Sequence, residues 1–132
     1  AIVLRRMGFP VTVVALPHGD LHLDRLFNAQ RRRCGVEVIP LGQHAARQSL
    51  QRLREGHLLG ITGDREFGRN GVDLSLCGAQ VTLPRGPAVL SLRSQTPLVP
   101  TFLIRDGCWK FRLCVESPIW PTAQAISFPE GE

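Results

Sequence analysis

The amino-acid sequence predicts an α/β fold: a mostly parallel central sheet with flanking helices, and an antiparallel strand pair near the C-terminus. Three observations carry this. Short apolar, β-branched runs alternate with helical patterns over residues 1–62, the arrangement that parallel crossovers require. The first such run, Thr12-Val13-Val14-Ala15-Leu16, is almost entirely apolar, as in a strand buried on both faces. Near the other end, Asp106-Gly107 separates two strand-like runs and reads as a hairpin turn.

Taken in order, residues 1–7 read as the last turns of a helix, with Gly8 placed to accept the left-handed conformation that closes it. Phe9-Pro10 breaks the pattern before the first strand, residues 12–16. Asp20 suits the N-cap of a helix from Leu21 to about Cys34. Leu23, Leu26, Phe27, Gln30 and Cys34 share one stripe of that helix, and Gly35 ends it. Val36 to Ile39 is a short strand stopped by Pro40. Residues 43–55 form the clearest helix. Ala46, Leu50 and Leu53 line one face, Arg47, Gln51, Arg52, Arg54 and Glu55 the other, and Gly56 follows as a stop. His57 to Thr62 is the strand that leads into Asp64. After a Gly- and charge-rich linker over residues 63–71, Val72 to Leu76 is a short strand. Gly86-Pro87 opens a helix through Ser94, since Pro suits the first helical position. Leu98 to Ile104 is a further apolar strand. Beyond the Asp106-Gly107 turn, Trp109, Phe111, Leu113 and Val115 alternate with polar positions, as in a half-buried antiparallel strand. Pro, Ser and Ala prevail from Ser117 on. The division is a domain over residues 1–119 and a Pro-rich tail over residues 120–132.

Length and composition fit one domain with a real core: 132 residues, 43% hydrophobic and 20% charged. The formal net charge is +5, and Lys110 is the only lysine, so the excess is carried by arginine. Such a balance favours anionic partners: phosphorylated ligands or an anionic membrane surface. A solvated Arg-rich surface is the other reading. Nucleic acid is not expected as a partner, because the sequence has no Tyr and two Trp and so lacks stacking platforms. Cys34, Cys77, Cys108 and Cys114 show no CxxC spacing, and no zinc or redox motif is expected. On one extended strand Cys108 and Cys114 would lie roughly 20 Å apart, too far for a disulfide; reduced thiols in the cytosol are the expectation. No apolar run approaches the length of a membrane span. The sequence begins without Met on an apolar segment, as a piece of something longer would.

Four groups of residues bear chemistry. Asp64-Arg65-Glu66, at the end of an apolar run, could orient a histidine or act as general base, or form a surface loop with a local ion pair. Arg31-Arg32-Arg33, near a helix end, could hold a phosphate by bidentate bonds, or offset the helix dipole. Pro84-Arg85-Gly86-Pro87 could present backbone N–H groups to an anion or oxyanion, or be a plain turn. His18 and Asp24, with His22 between them, could pair as base and orienter, while Asp20 and Asp24 also fit helix-start roles. His44 and His57 stand alone. No Gly-x-Ser-x-Gly, Walker or HExxH motif occurs.

The order of these segments resembles a known family. Gly63-Asp64-Arg65-Glu66 is followed by a glycine-containing loop and by Val72-x-Leu74-x-Leu76-x-Gly78-Ala79. Leu83-Pro84-Arg85-Gly86-Pro87-Ala88-Val89-Leu90-Ser91-Leu92-Arg93 comes next, then Pro97-Leu98-Val99-Pro100-Thr101-Phe102. Upstream stand Arg31-x-x-x-Gly35 and Val38-Ile39-Pro40. This pattern, over residues 1–119, is similar to the lipid A biosynthesis lauroyl/myristoyl acyltransferases and the related phosphatidylinositol mannoside acyltransferases. One departure is Leu76-Cys77 before Gly78, where many relatives carry two Phe.

The resemblance implies a glycerolipid-acyltransferase-like fold. It implies acyl transfer from acyl carrier protein or a coenzyme A thioester to a hydroxyl of a lipid acceptor, with no cofactor and no metal. In the family a His-acid motif lies ahead of the segment that begins this chain. His18 does not match it, so the general base is expected upstream of residue 1 and the fragment is expected to be inactive alone. Glu66 or Asp64 would be the acid partner of that histidine. Arg31 and Arg65 would hold phosphate, and Gly86 would shape the acyl or oxyanion site. The expected location is the cytoplasmic face of the cell inner membrane, as a peripheral enzyme on its anionic surface. The alternative is a non-catalytic α/β module that binds a phosphorylated or anionic lipid ligand through its arginines.

Overall fold

The computed structural model describes residues 1–66 and 71–122, as two compact units, Ala1–Leu90 and the residues from Ser91 on. The elements are α1 (Ile2–Arg6), β1 (Val11–Ala15), α2 (Leu21–Arg33), β2 (Glu37–Pro40), α3 (Ala45–Arg54), β3 (Leu58–Gly60), β4 (Gly71–Leu76), β5 (Ala79–Pro84), α4 (Gly86–Ser94), β6 (Thr101–Arg105) and β7 (Phe111–Val115). The mixed α/β class, the parallel sheet and the C-terminal antiparallel pair are as the sequence predicts.

In the first unit β1, β2 and β3 form a parallel sheet in the order β2-β1-β3. Val11 and Thr12, the first residues of central β1, are buried, as are Val36 and Ile39 on the path of β2 and Ala45 on α3. Gly60 ends β3 opposite Val13. A Cβ there would stand 3.2 Å from Val13 Cγ1, so a larger residue would force the strands apart.

Helices α1, α2 and α3 all end the same way. Gly8, Gly35 and Gly56 follow the C-caps at φ +95, +72 and +81°. The residue after each glycine donates its N–H back across the last turn: Phe9 to the Leu4 carbonyl (3.3 Å), Val36 to Arg31 (3.0 Å) and His57 to Arg52 (3.0 Å). These are Schellman closures, in which glycine alone takes the left-handed position without a Cβ penalty. Each turns a helix directly into the next strand, so three such glycines set the αβ alternation.

Two helix faces differ from expectation. On α2 the stripe Leu23, Leu26 and Phe27 is exposed, at 48, 63 and 40%. Half-buried instead are Asp24, Asn28 and Arg31, which satisfy one another by hydrogen bonds and so tolerate partial burial as a group. On α3 Ala45 and Ser49 are buried while Ala46 is exposed, a rotation of about one residue that also brings Arg52 into a half-buried position.

The strand β5 was not anticipated. It pairs antiparallel with β4 from Leu76↔Ala79 to Gly71↔Pro84, and Cys77-Gly78 makes the two-residue turn at φ 51 and 80°. Both residues are left-handed, as a type I′ turn demands. Cys in the first place hides the signal that Asn or Asp would have shown. Expected strand residues Ile61 and Thr62 lie outside β3.

In the second unit β6 pairs antiparallel with β7, around the Asp106-Gly107 connection. The strand starts at Thr101, not Leu98, because Pro97 and Pro100 lack the N–H a ladder needs; Leu98 instead forms an isolated bridge with Ile119. The alternation along β7 is present but its burial is inverted: Phe111, Leu113 and Val115 are exposed and Cys114 is half-buried. Trp109 lies outside the strand, 92% exposed. All four cysteines are free thiols. Among the described residues no helix is long and apolar enough to cross a membrane. Most of the tail expected over residues 120–132 lies outside the described residues.

Candidate functional site

In an open parallel sheet of order 2-1-3, the chain leaves the central strand toward one side and then crosses back to add the next strand on the other, and ligands settle at the carboxyl ends of the strands beside that switch point. Here the switch point lies between β1 and β3. The chain leaving Gly60 at the carboxyl end of β3 runs into Asp64-Arg65-Glu66. Asp64 and Arg65 are exposed, and Glu66 is half-buried. The Glu66 side chain lies over Gly71, the first residue of β4, with Thr82 of β5 on the same spot. Gly71 pairs with Pro84, so the open end of the β4–β5 hairpin holds the Glu66 contact on one strand and leads into Gly86 on the other.

At Gly86 the helix α4 begins, and the first backbone bond closes from Val89 N–H to the Arg85 carbonyl (3.0 Å). Pro87 has no N–H, which leaves Gly86 and Ala88 as the first-turn donors. A Cβ on Gly86 would meet open space. Four of the residues singled out in the sequence therefore share one region: Asp64, Arg65, Glu66 and Gly86.

Arg31 stands on α2. Its backbone carbonyl closes the Schellman turn through Val36, which gives the Arg-x-x-x-Gly spacing a physical meaning: Gly35 is the left-handed residue that lets the helix end there. A Cβ on Gly35 would also lie 3.0 Å from Arg5 Nε, which itself donates to the Gly35 carbonyl at 3.0 Å. The guanidinium of Arg31 donates to Asn28 Oδ1 at 2.9 Å, and Asn28 Nδ2 donates to Asp24 Oδ2 at 2.9 Å. It makes no bond to the Asp64–Glu66 loop.

His18 and Asp24 do not form a base–orienter pair. Asp24 Oδ1 accepts the backbone N–H of His18 at 3.1 Å, while the His18 ring stacks on Phe27 with centroids 5.0 Å apart. Asp20 is the N-cap, accepting the N–H groups of His22 (2.7 Å) and Leu23 (3.2 Å).

His57, which stands alone in the sequence, joins a network at the amino end of the sheet. Thr12 Oγ1 lies 2.8 Å from His57 Nδ1 and donates to Glu37 Oε2 at 3.2 Å. Since the one hydroxyl hydrogen goes to the carboxylate, His57 Nδ1 is the donor to Thr12. Arg52 Nη2 meets the other oxygen of Glu37 at 2.7 Å, and Arg52 Nη1 meets Glu55 at 2.5 Å. Bonding to Glu37 and Glu55 raises the Arg52 pKa above its ordinary value. Only the register, which sets Thr12 opposite Glu37, could have revealed this cluster. It lies at the end of the strands opposite the Asp64–Glu66 loop, and its role is to tie β1, β2 and α3 together.

The molecule is thus an α/β protein with a carboxylate-bearing loop at the carboxyl edge of its parallel sheet. It matches the model of the bacterial lipid A biosynthesis acyltransferases over residues 1–124. The chain belongs to that family. It is 28% identical over 114 residues to a phosphatidylinositol mannoside acyltransferase of Mycobacterium tuberculosis, a match covering 80% of this chain and 36% of the relative. To the protein of the same name from Mycolicibacterium smegmatis it is 30% identical over 103 residues, 76% of this chain and 32% of the relative. The chain therefore spans about a third of the length of these curated relatives.

Proposed function

We propose that the chain is part of an O-acyltransferase that moves a fatty acyl group from acyl carrier protein or acyl-CoA to a hydroxyl of a membrane glycolipid or phospholipid precursor. Family membership supports acyl transfer. The observation that carries the reading further is the position of Glu66, half-buried at the carboxyl end of the sheet and packed over Gly71.

In this reading a histidine from a part of the protein outside residues 1–132 takes the proton of the acceptor hydroxyl. The oxygen attacks the thioester carbonyl, the tetrahedral intermediate collapses, and the C–S bond breaks. The imidazolium returns the proton to the departing thiolate, leaving an ester and a free thiol. Glu66, with Asp64 beside it, orients the histidine and balances its transient charge. Arg31 and Arg65 hold phosphate on the substrates, and the N–H of Gly86 faces the developing oxyanion. No resident cofactor or metal takes part. Residues 1–132 alone would be inactive. The arginine excess suits a peripheral seat on the anionic cytoplasmic face of the inner membrane.

Glu66→Gln, made in the protein with its native flanking sequence, tests this. Acyl transfer should fall by roughly 10²–10⁴-fold while the unfolding midpoint stays unchanged. A near-normal rate removes Glu66 from the chemistry, whereas a wild-type protein that binds an anionic lipid through its arginines and transfers no acyl group overturns the enzyme reading in favour of a non-catalytic module.

A further inference from the structure

Arg31 and Arg52 occupy equivalent places in two successive helices. Each supplies the carbonyl that closes its helix, to Val36 and to His57, and each residue is half-buried. Their surroundings differ. Arg52 is committed to two carboxylates, Glu37 at 2.7 Å and Glu55 at 2.5 Å. Arg31 is held by a neutral amide, Asn28 Oδ1 at 2.9 Å. Among the described residues it makes no ion pair.

The orientation of that amide is forced. Asp24 is acceptor-only, so Asn28 must turn its NH₂ toward it (2.9 Å). The carbonyl end of Asn28 then faces Arg31 and can only accept. Asp24 is fixed in turn by the His18 backbone N–H at 3.1 Å, which ties the row to the β1–α2 loop. Asp24, Asn28 and Arg31 at i, i+4 and i+7 thus form a ladder along one side of α2. One guanidinium N–H is used, and of the five that arginine carries the others stay available. An acidic residue at position 28 would hold the guanidinium equally well but cancel its charge. The amide holds it and leaves the charge whole.

We propose that Asn28 is a positioning residue for Arg31, presenting it as an uncompensated, pre-aimed cation to a phosphate group of the acyl donor or of the lipid acceptor. The proposal rests on the reading of Arg31 as a phosphate-binding residue and adds what sets its geometry and charge.

The test uses the protein with its native flanking sequence and the variants Arg31→Met, Asn28→Asp, Asn28→Gln and Asn28→Leu. Steady-state rates are measured against acyl-CoA and against acceptor lipid separately, and binding of inorganic pyrophosphate is measured by calorimetry, an arm that needs no acyl transfer. Asn28→Asp should raise KM for the phosphate-bearing substrate, and weaken pyrophosphate binding, by about tenfold, close to Arg31→Met, with kcat nearly unchanged. Asn28→Leu, which adds no charge beside Asp24, should give a smaller rise of about threefold. Asn28→Gln, which keeps a neutral amide, should lie between wild type and Asn28→Leu. Which KM moves identifies the phosphate as the donor's or the acceptor's. Wild-type behaviour of both Asn28→Asp and Asn28→Leu, with Arg31→Met impaired, overturns the role of Asn28. Wild-type behaviour of Arg31→Met overturns the reading of Arg31 itself.

Discussion

Glu66 lays its Cγ over Gly71, 3.1 Å from where a Cβ on that glycine would stand. The Leu83 carbonyl oxygen is equally near, and Thr82 Cγ2 is nearer still. Gly71 is therefore required for its lack of volume. Gly71→Ala should cost about 1–3 kcal/mol of stability and, in the protein with its native flanking sequence, lower acyl transfer by displacing Glu66. Thr82→Ser in the same chain removes the closest methyl and keeps the hydroxyl that donates to Asp73 at 2.5 Å. The double variant should recover much of the lost urea midpoint. A double variant no more stable than the single one means that the methyl is not the obstacle.

The alternation of strands and helices was legible because each transition is written locally, as a glycine closing a helix or an aspartate capping one. Gly8, Gly35, Gly56 and Asp20 all do what their chemistry dictates. What could not be read was which face of a helix turns inward. Leu23, Leu26 and Phe27 are a proper apolar stripe, yet Asp24, Asn28 and Arg31 take the sheltered side, because a satisfied polar ladder can be half-buried at little cost. The carboxylates at Asp64 and Glu66 were visible as residues; the contact of Glu66 with Gly71 was not, since it depends on a hairpin whose turn begins with Cys77. The Thr12–Glu37–His57 cluster depends on strand register, which no local pattern encodes.

Two buried hydroxyls should respond in opposite directions. Thr12 is fully buried and bonded to Glu37 and His57. Thr12→Val keeps the shape but leaves both partners without it, at a cost of about 1–3 kcal/mol. Ser49 Oγ on α3 is buried with no partner among the described residues. Ser49→Ala removes an unsatisfied group and should be neutral or stabilising, by up to about 1 kcal/mol. Denaturant midpoints of the two variants, compared at pH 7, give the signs. A loss at Ser49→Ala similar to that at Thr12→Val would show that Ser49 is bonded in solution.

The acid limb of stability should carry the mark of Glu55. Its carboxyl is held below the ordinary value of 4.5, first by the hydrogen bond from Arg52 and then by that from Gln51, with desolvation acting in the opposite sense. A lowered folded-state pKa means that the unfolded chain takes up the proton first as pH falls. The stabilisation is complete above the unfolded value and is lost as pH drops through the folded one. Glu55→Gln abolishes that dependence. The gap in urea midpoint between wild type and Glu55→Gln should be widest near pH ~6 and close toward pH ~3. Because the pair is solvent-accessible the gap is small, and added salt should shrink it further. A gap that stays constant across this range would assign the effect of Glu55 to packing instead of charge.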